Sequence, residues 1–361
     1  MTGPTHPPIV LNRADLRGLI PLRLATEAVR LAHRDWGANP GLNVLCQRMK
    51  SHSGARLCVH QGAAPSLDAI GLFAHSELLS IDRRETHDAA GAPISIVYDE
   101  KTSLLAAILV GEPTSEELPD STAIAGLRTT ATSVIGTLEL ARGDSTTVGL
   151  IGAGAQAELH LLALSLEISI DRVLVFSPTT RRRTDFARRM EDRVVASVRP
   201  VDSAEEAVIS ADIIITATNS STPVIEGSWL RPGQHVTSIV GGVVGLHAPL
   251  PGLGGRAELG PDTDDRADLI VLASCEQARY GFELPAFNDL GSGVSRVEAY
   301  PHWQKTVEIA DVLANRHPGR TTDTQITVYK NNAGQGIADM AIAGLAVRIA
   351  RESGIGISVE I

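Results

Sequence analysis

At 361 residues the chain exceeds the roughly 250–300 residues that one hydrophobic core ordinarily sustains, so two domains are expected. A formal net charge of −10, from 42 acidic against 32 basic residues, and only 3% aromatic residues leave neither the basic field nor the stacking surface that nucleic acid requires. Three scattered cysteines (Cys46, Cys58 and Cys275) give no disulfide framework, and no apolar run reaches the roughly 18 residues that span a bilayer; a cytoplasmic protein without nucleic-acid or membrane partners is expected.

In chain order, residues 8–11 read as a short strand and Asn12 as the cap of a helix. LRLATEAVRLAHRDWGA is an amphipathic helix, closed by Asn39-Pro40-Gly41. Between residues 42 and 110, the runs ARLCVH, AIGLFAH and PISIVYD alternate with polar turns and predict a sheet-rich domain, and SLLAAILVGE adds a strand or hairpin. Residues 123–142 are alanine-rich and free of proline, which predicts a long helix leading onward.

From there strands and helices alternate: TTVGLIG, a helix over 155–168, RVLVFS, a helix over 179–192, VVASV, a short helix, DIIITAT, HVTSIV and LIVLAS. That alternation predicts a Rossmann-type, doubly wound parallel α/β sheet beside a second, α+β domain. Ser203 with Glu206 is a capping-box signature. The tail, a helix ending near HPGR, the strand TQITVYK and the apolar helix GIADMAIAGLAVRIA, could complete either domain on pattern alone.

One turn carries chemistry. An apolar strand runs into Gly152-Ala-Gly154-Ala155-Gln156-Ala157, where the first glycine permits the turn, the second lets backbone approach a pyrophosphate, and the helix beginning there offers unpaired N–H groups. The motif alone is weak, and a tight turn with no ligand would look the same; its place between strand and helix makes it a dinucleotide site. The following strand ends not in the acid that grips an NAD ribose but in Ser177, with Thr179, Arg181, Arg182 and Arg183 beyond, which favours NADP(H) over NAD(H) unless the arginines merely face solvent. Thr218 and Asn219, closing DIIITAT, are candidates for lining the cofactor.

GLRTTATSVIGTLELARGDS, GLIGAGAQAELHLLAL, ADIIITAT, WLRPGQHV, HPGR and TVYKNNAGQGIADMAIAGLA together resemble the ornithine cyclodeaminase and mu-crystallin family over almost the whole chain. The resemblance implies a homodimer, with residues 1–127 and 321–361 forming a substrate-binding and dimerisation domain and 128–320 the NAD(P)-binding domain. It implies a substrate carboxylate held by Arg48 and Arg128, with Thr129 beside the cofactor. The lysine that the family uses as a third clamp is replaced by Phe73, with Lys50 and His75 as the nearby polar candidates. The family's aspartate in deamination is replaced by Val243, and His75 or His247 could supply a proton instead. In the tail, Asn331 and Gly334 match a nicotinamide-side element, and Asp339 an aspartate that could equally be helix-start chemistry.

Three functions follow: a reductase or dehydrogenase acting on a small carboxylate-bearing imine or amino acid, a cyclodeaminase disfavoured by Phe73 and Val243, and a crystallin-like binder of NADPH and a small ligand. No metal is expected, since the histidines do not cluster and Asp262, Asp264 and Asp265 look like a solvated loop.

Overall fold

Residues 6–52, 55–79, 87–89, 92–123, 125–220, 222–240, 257–283, 300–332 and 335–360 are described by the computed structural model of the chain. They fall into two units, Met1–Ala131 with Gly334–Ile361, and Thr132–Ala333.

The first unit is a mixed sheet. Its strands are β1 (Ile9–Leu11), β2 (Gln47–Lys50), β3 (Ala55–Ala64), β4 (Ala69–Leu79), β5 (His87–Ala89), β6 (Ile94–Asp99) and β7 (Leu105–Val110). The order is Ile357–Ser358, β1, β7, β6, β4, β3, β2, with β5 pairing β4. Asn12 caps the first helix with a full capping box, its side chain accepting backbone N–H groups while Asp15 reaches back. The C-terminal helix Gly336–Ser353 packs on β3 and β4 and is buried along most of its length, which explains a sequence apolar on nearly every side. Gly336 makes this possible: a Cβ there would lie 1.9 Å from the Gln61 carbonyl oxygen. On the other face of the sheet Leu57, Ile70, Ile94, Tyr98 and Val110 are exposed.

The second unit contains β8 (Thr147–Ile151), β9 (Arg172–Phe176), β10 (Ser197–Pro200), β11 (Ile213–Thr216), β12 (His235–Ser238), β13 (Leu269–Leu272), β14 (Thr306–Glu308) and β15 (Thr327–Lys330). All pair in parallel, in the order β10-β9-β8-β11-β12-β15-β13-β14. This is the expected Rossmann-type doubly wound sheet, and the order reverses between β8 and β11, where such sheets open a ligand crevice.

Several local expectations shift. The sequence boundaries assign 321–361 to the first domain, whereas the structural division falls at Ala333/Gly334, because β15 inserts between β12 and β13. The strand foreseen as VVASV begins later, at Ser197, leaving Val195 fully exposed in the turn before it. Ser203 caps its helix by accepting the Glu206 N–H, but the Glu206 carboxylate takes Arg199 (3.0 Å) instead of closing the box.

Asp264 is not in a solvated loop. It is fully buried, 2.6 Å from Lys330 Nζ at the end of β15, and accepts the Tyr300 hydroxyl as well (3.0 Å). A buried lysine needs such a partner, since an unpaired charge there would cost several kcal/mol, about 3–5 when one partner is removed. No helix among the described residues is long and apolar enough to cross a membrane.

Candidate functional site

The turn after β8 is built as its sequence requires. Gly152 has φ +122° and a Cβ on it would lie 2.2 Å from the Ala217 carbonyl oxygen, so only glycine lets the turn nestle against the end of β11. The Gly152 N–H donates to the Phe176 carbonyl (2.8 Å) and the Ala217 N–H to Ile151 (2.8 Å), tying the turn to both neighbouring strands. Gly154 differs: it is exposed, in extended backbone, and a Cβ there would meet nothing within 4 Å. It caps the helix Ala155–Glu167 without a side-chain hydrogen bond, so no cap side chain covers the helix N-terminus, the end of a helix that favours an anion. A rigid glycine, an open glycine and a bare helix N-terminus of this length fit a dinucleotide pyrophosphate.

Beyond β9 the three arginines separate. Arg183 is buried: one guanidinium nitrogen donates to the Ser177 carbonyl (3.0 Å), another to Asp202 (2.6 Å), and the group lies over the Phe176 ring. It fastens the strand-to-helix connection and is not available to a phosphate. Arg181 and Arg182 are exposed on the first turn of the helix Thr180–Glu191, with Arg181 within 3.6 Å of Asp185. Thr179 makes no cap hydrogen bond, and Ser177 is buried at the strand end.

At the ends of β11 and β12, Glu258 gathers donors. Its carboxyl accepts Thr216 Oγ1 (2.9 Å), Thr218 N and Oγ1 (2.6 and 2.9 Å), Ser238 Oγ (2.7 Å) and Val240 N (3.3 Å). Burial raises its pKa to about 7 despite those bonds. The Thr218 hydroxyl is therefore engaged within the protein, and Asn219, next along and exposed, is the residue presented outward. Asn331 is buried after β15, its amide donating to Ser133 Oγ (3.1 Å).

The first unit holds its own pocket, whose walls include Phe73, Ser95, Glu112, Arg128, Asp339 and Ile342. Arg128 enters from the first turn of the helix Gly126–Leu140, with Thr129 beside it in the chain, and its Nε lies 2.8 Å from Asp339. Asp339, from the C-terminal helix, also binds His60 Nδ1 (2.6 Å). Both ends of that pair are buried, so Asp339 is more than helix-start chemistry. Burial disfavours ionisation of Asp339, yet Arg128 and His60 outweigh it and hold the carboxyl below its ordinary range. Burial likewise opposes the charge on His60, but Asp339 pushes it up to about 9.

A histidine whose folded-state pKa is raised contributes stability that is complete below its ordinary value, 6.5, and is lost as pH climbs through about 9. His60→Gln is therefore expected to flatten an alkaline decline in thermal midpoint over that window. An unchanged decline would show that the pair does not couple to folding.

Phe73 faces His60 across the β3–β4 ladder, with ring centroids 5.6 Å apart, and His75 lies 5.6 Å from Phe73 and 5.8 Å from His60. Arg48 pairs in register with Cys58 and Cys58 with His75, one row across three strands, while the side chains of Arg48 and Lys50 lie outside the described residues. Val243 and His247 also fall outside them. Two groups escaped sequence reasoning, Glu112 in the pocket wall and His60 behind Asp339 in hydrogen bond with it. The available signals were a Gly-Glu pair closing the apolar run of β7, and the hairpin register that sets His60 opposite Phe73. No group of three metal-ligating side chains occurs among the described residues.

Fold and turn define a dinucleotide-binding α/β protein with a second, mixed-sheet unit. The chain is similar to an alanine dehydrogenase of Archaeoglobus fulgidus, 30% identical over 243 residues, covering 67% of this chain and 68% of that protein. It is similar to a Δ1-pyrroline-2-carboxylate reductase of Bacillus cereus, 28% identical over 257 residues, covering 71% and 73%. Among solved structures it resembles Thermococcus litoralis Δ1-pyrroline-2-carboxylate reductase in complex with NADH and L-proline, with TM-score 0.75, 26% identity and coverage of 97% of this chain and 100% of that one. The sequence profile of the ornithine cyclodeaminase/mu-crystallin family matches residues 98–353, and the chain belongs to that family.

Proposed function

We propose that the chain is an NAD(P)H-dependent reductase of a small, carboxylate-bearing imine, running in reverse as an amino acid dehydrogenase. The observation that carries this reading is Arg128 in an otherwise largely apolar pocket, in a chain that also carries an open dinucleotide turn. A guanidinium fork matches a planar carboxylate, and Phe73 and Ile342 would shed water from the substrate body. The relatives that act on proline-like imines and on alanine support the same class. When bound, the reduced dinucleotide supplies hydride. Gly154 and the N–H groups of Ala155 and Gln156 would hold its pyrophosphate, and Asn219 and Asn331 belong to the strand ends near which its nicotinamide half is expected.

The cyclodeaminase reading is weaker, since Phe73 puts a ring where the resemblance calls for a lysine and Val243 cannot carry a proton. Reduced-nicotinamide absorbance followed with cyclic imine carboxylates, and with 2-oxo acids plus ammonia or methylamine, tests the proposal. Oxidation with at least one of them is expected. Tight NADPH binding with no turnover would favour a ligand-binding role, and ammonia release from ornithine or lysine would restore the cyclodeaminase.

NADP(H) is the preferred cofactor in this reading, with NAD(H) accepted, because Arg181 and Arg182 are exposed on the helix that follows β9. Charge-assisted hydrogen bonds of about 1.5–3 kcal/mol predict that replacing both with alanine weakens NADPH roughly 10- to 100-fold and leaves NADH unchanged. Equal losses for both dinucleotides would overturn the preference. The exposed apolar sheet face of the first unit suits a second copy of the chain, and Ile70→Glu is expected to convert a dimer to monomer in sedimentation.

A further inference from the structure

Imine reduction needs a proton as well as a hydride. As hydride reaches the imine carbon, the C=N electron pair moves onto nitrogen, and that nitrogen must take a proton from an acid within hydrogen-bond reach. The pocket walls offer three ionisable groups, Arg128, Asp339 and Glu112. Arg128 faces Asp339 and is the group that takes the substrate carboxylate, so it is not the donor. Asp339 is fixed as a carboxylate between Arg128 and His60 and has no proton to give. His60 is cationic, but its Nδ1 is bound to Asp339 and it is not among the pocket walls. His75 is not among the pocket walls.

Glu112 remains. It lies two residues past the end of β7, and its Oε2 accepts the Ala125 N–H at 2.6 Å, which fixes the carboxyl in the pocket wall; Oε1 has no hydrogen bond among the described residues. We propose that Glu112 is the acid that protonates the imine nitrogen, while Arg128 holds the carboxylate of the same substrate. The two roles fit one ligand, because the carboxylate and the nitrogen of such an imine are separated by a single carbon.

The electrostatics agree with the geometry. Burial pushes the Glu112 carboxyl up to about 7, with Asp339 adding to the rise and Arg128 and His60 opposing it. Arg128 opposes it only in part because its charge is already matched by Asp339. Proton transfer leaves Glu112 as a carboxylate, which solvent reprotonates, so imine, reduced dinucleotide and one proton give amine and oxidised dinucleotide.

This inference rests on the reductase reading, and its test separates the two. With a cyclic imine carboxylate and NADPH, wild-type kcat should fall as pH rises through about 7. Glu112→Gln, which keeps an oxygen for the Ala125 N–H, should lower kcat roughly 10²- to 10⁴-fold with little change in KM and remove that limb. Glu112→Asp should retain the limb at reduced rate, a rescue that a purely structural role would not give. Turnover by the wild type without such a limb, or Glu112→Gln with normal kcat and an intact limb, overturns the assignment of Glu112 and leaves the reductase. Absence of turnover on every imine overturns the reductase and Glu112's role with it.

Discussion

Gly154→Val is expected to abolish useful dinucleotide binding while leaving the thermal midpoint within a degree or two of wild type. The backbone at 154 is extended, which a β-branched residue adopts readily, and a Cβ there meets nothing, so the fold should not register the change. The isopropyl group would instead occupy the space through which a pyrophosphate reaches the N–H groups of Ala155 and Gln156. Losing two such charge-assisted bonds, at about 1.5–3 kcal/mol each, weakens binding roughly 10²- to 10⁴-fold. Gly152→Ala should do the reverse in order of severity. Its Cβ collides with a backbone carbonyl at 2.2 Å, and φ +122° is strained for any side chain. A penalty of about 3 kcal/mol or more would lower the midpoint by roughly 6–12 °C before any ligand is added. Calorimetry and NADPH titration of the two variants read both effects, and a Gly154→Val protein that binds normally would show that the turn does not hold the cofactor.

The second large effect falls on Arg128. Arg128→Ala removes the pocket's guanidinium and leaves Asp339 with His60 alone, so both substrate binding and stability should suffer. Truncating one member of a buried charge pair costs about 2–5 kcal/mol, and a comparable loss of carboxylate binding corresponds to roughly 30- to several-thousand-fold in kcat/KM. Arg128→Lys separates the two losses: the charge opposite Asp339 is kept and stability largely recovers, while a point charge cannot reproduce the fork and kcat/KM stays low. A lysine variant with wild-type kinetics would mean that the carboxylate is held elsewhere.

Features set by neighbouring residues were legible in the sequence. The glycine turn, the Asn12 cap, the alternation of strand and helix and the apolar C-terminal helix each depend on a few adjacent side chains. What escaped depends on partners far along the chain. Three consecutive arginines look alike until the fold buries one of them and pairs it with Asp202. Asp264 looks solvated until Lys330, 66 residues later, arrives beside it. Thr218 looks free to meet a cofactor until Glu258 takes its hydroxyl. The substrate pocket followed the same rule: Arg128 was named through family resemblance, whereas Asp339's role between Arg128 and His60, and Glu112's place in the wall, came only from packing β3, β7 and the C-terminal helix together.

The most direct test of the central claim uses NADPH carrying two deuterons at the nicotinamide C4 position, incubated with the protein and Δ1-pyrroline-2-carboxylate or a related cyclic imine acid. The account predicts an amino acid product one mass unit heavier, with the deuteron on the carbon bearing the carboxylate. Product formed without deuterium, or no product from any imine acid despite bound NADPH, would contradict it.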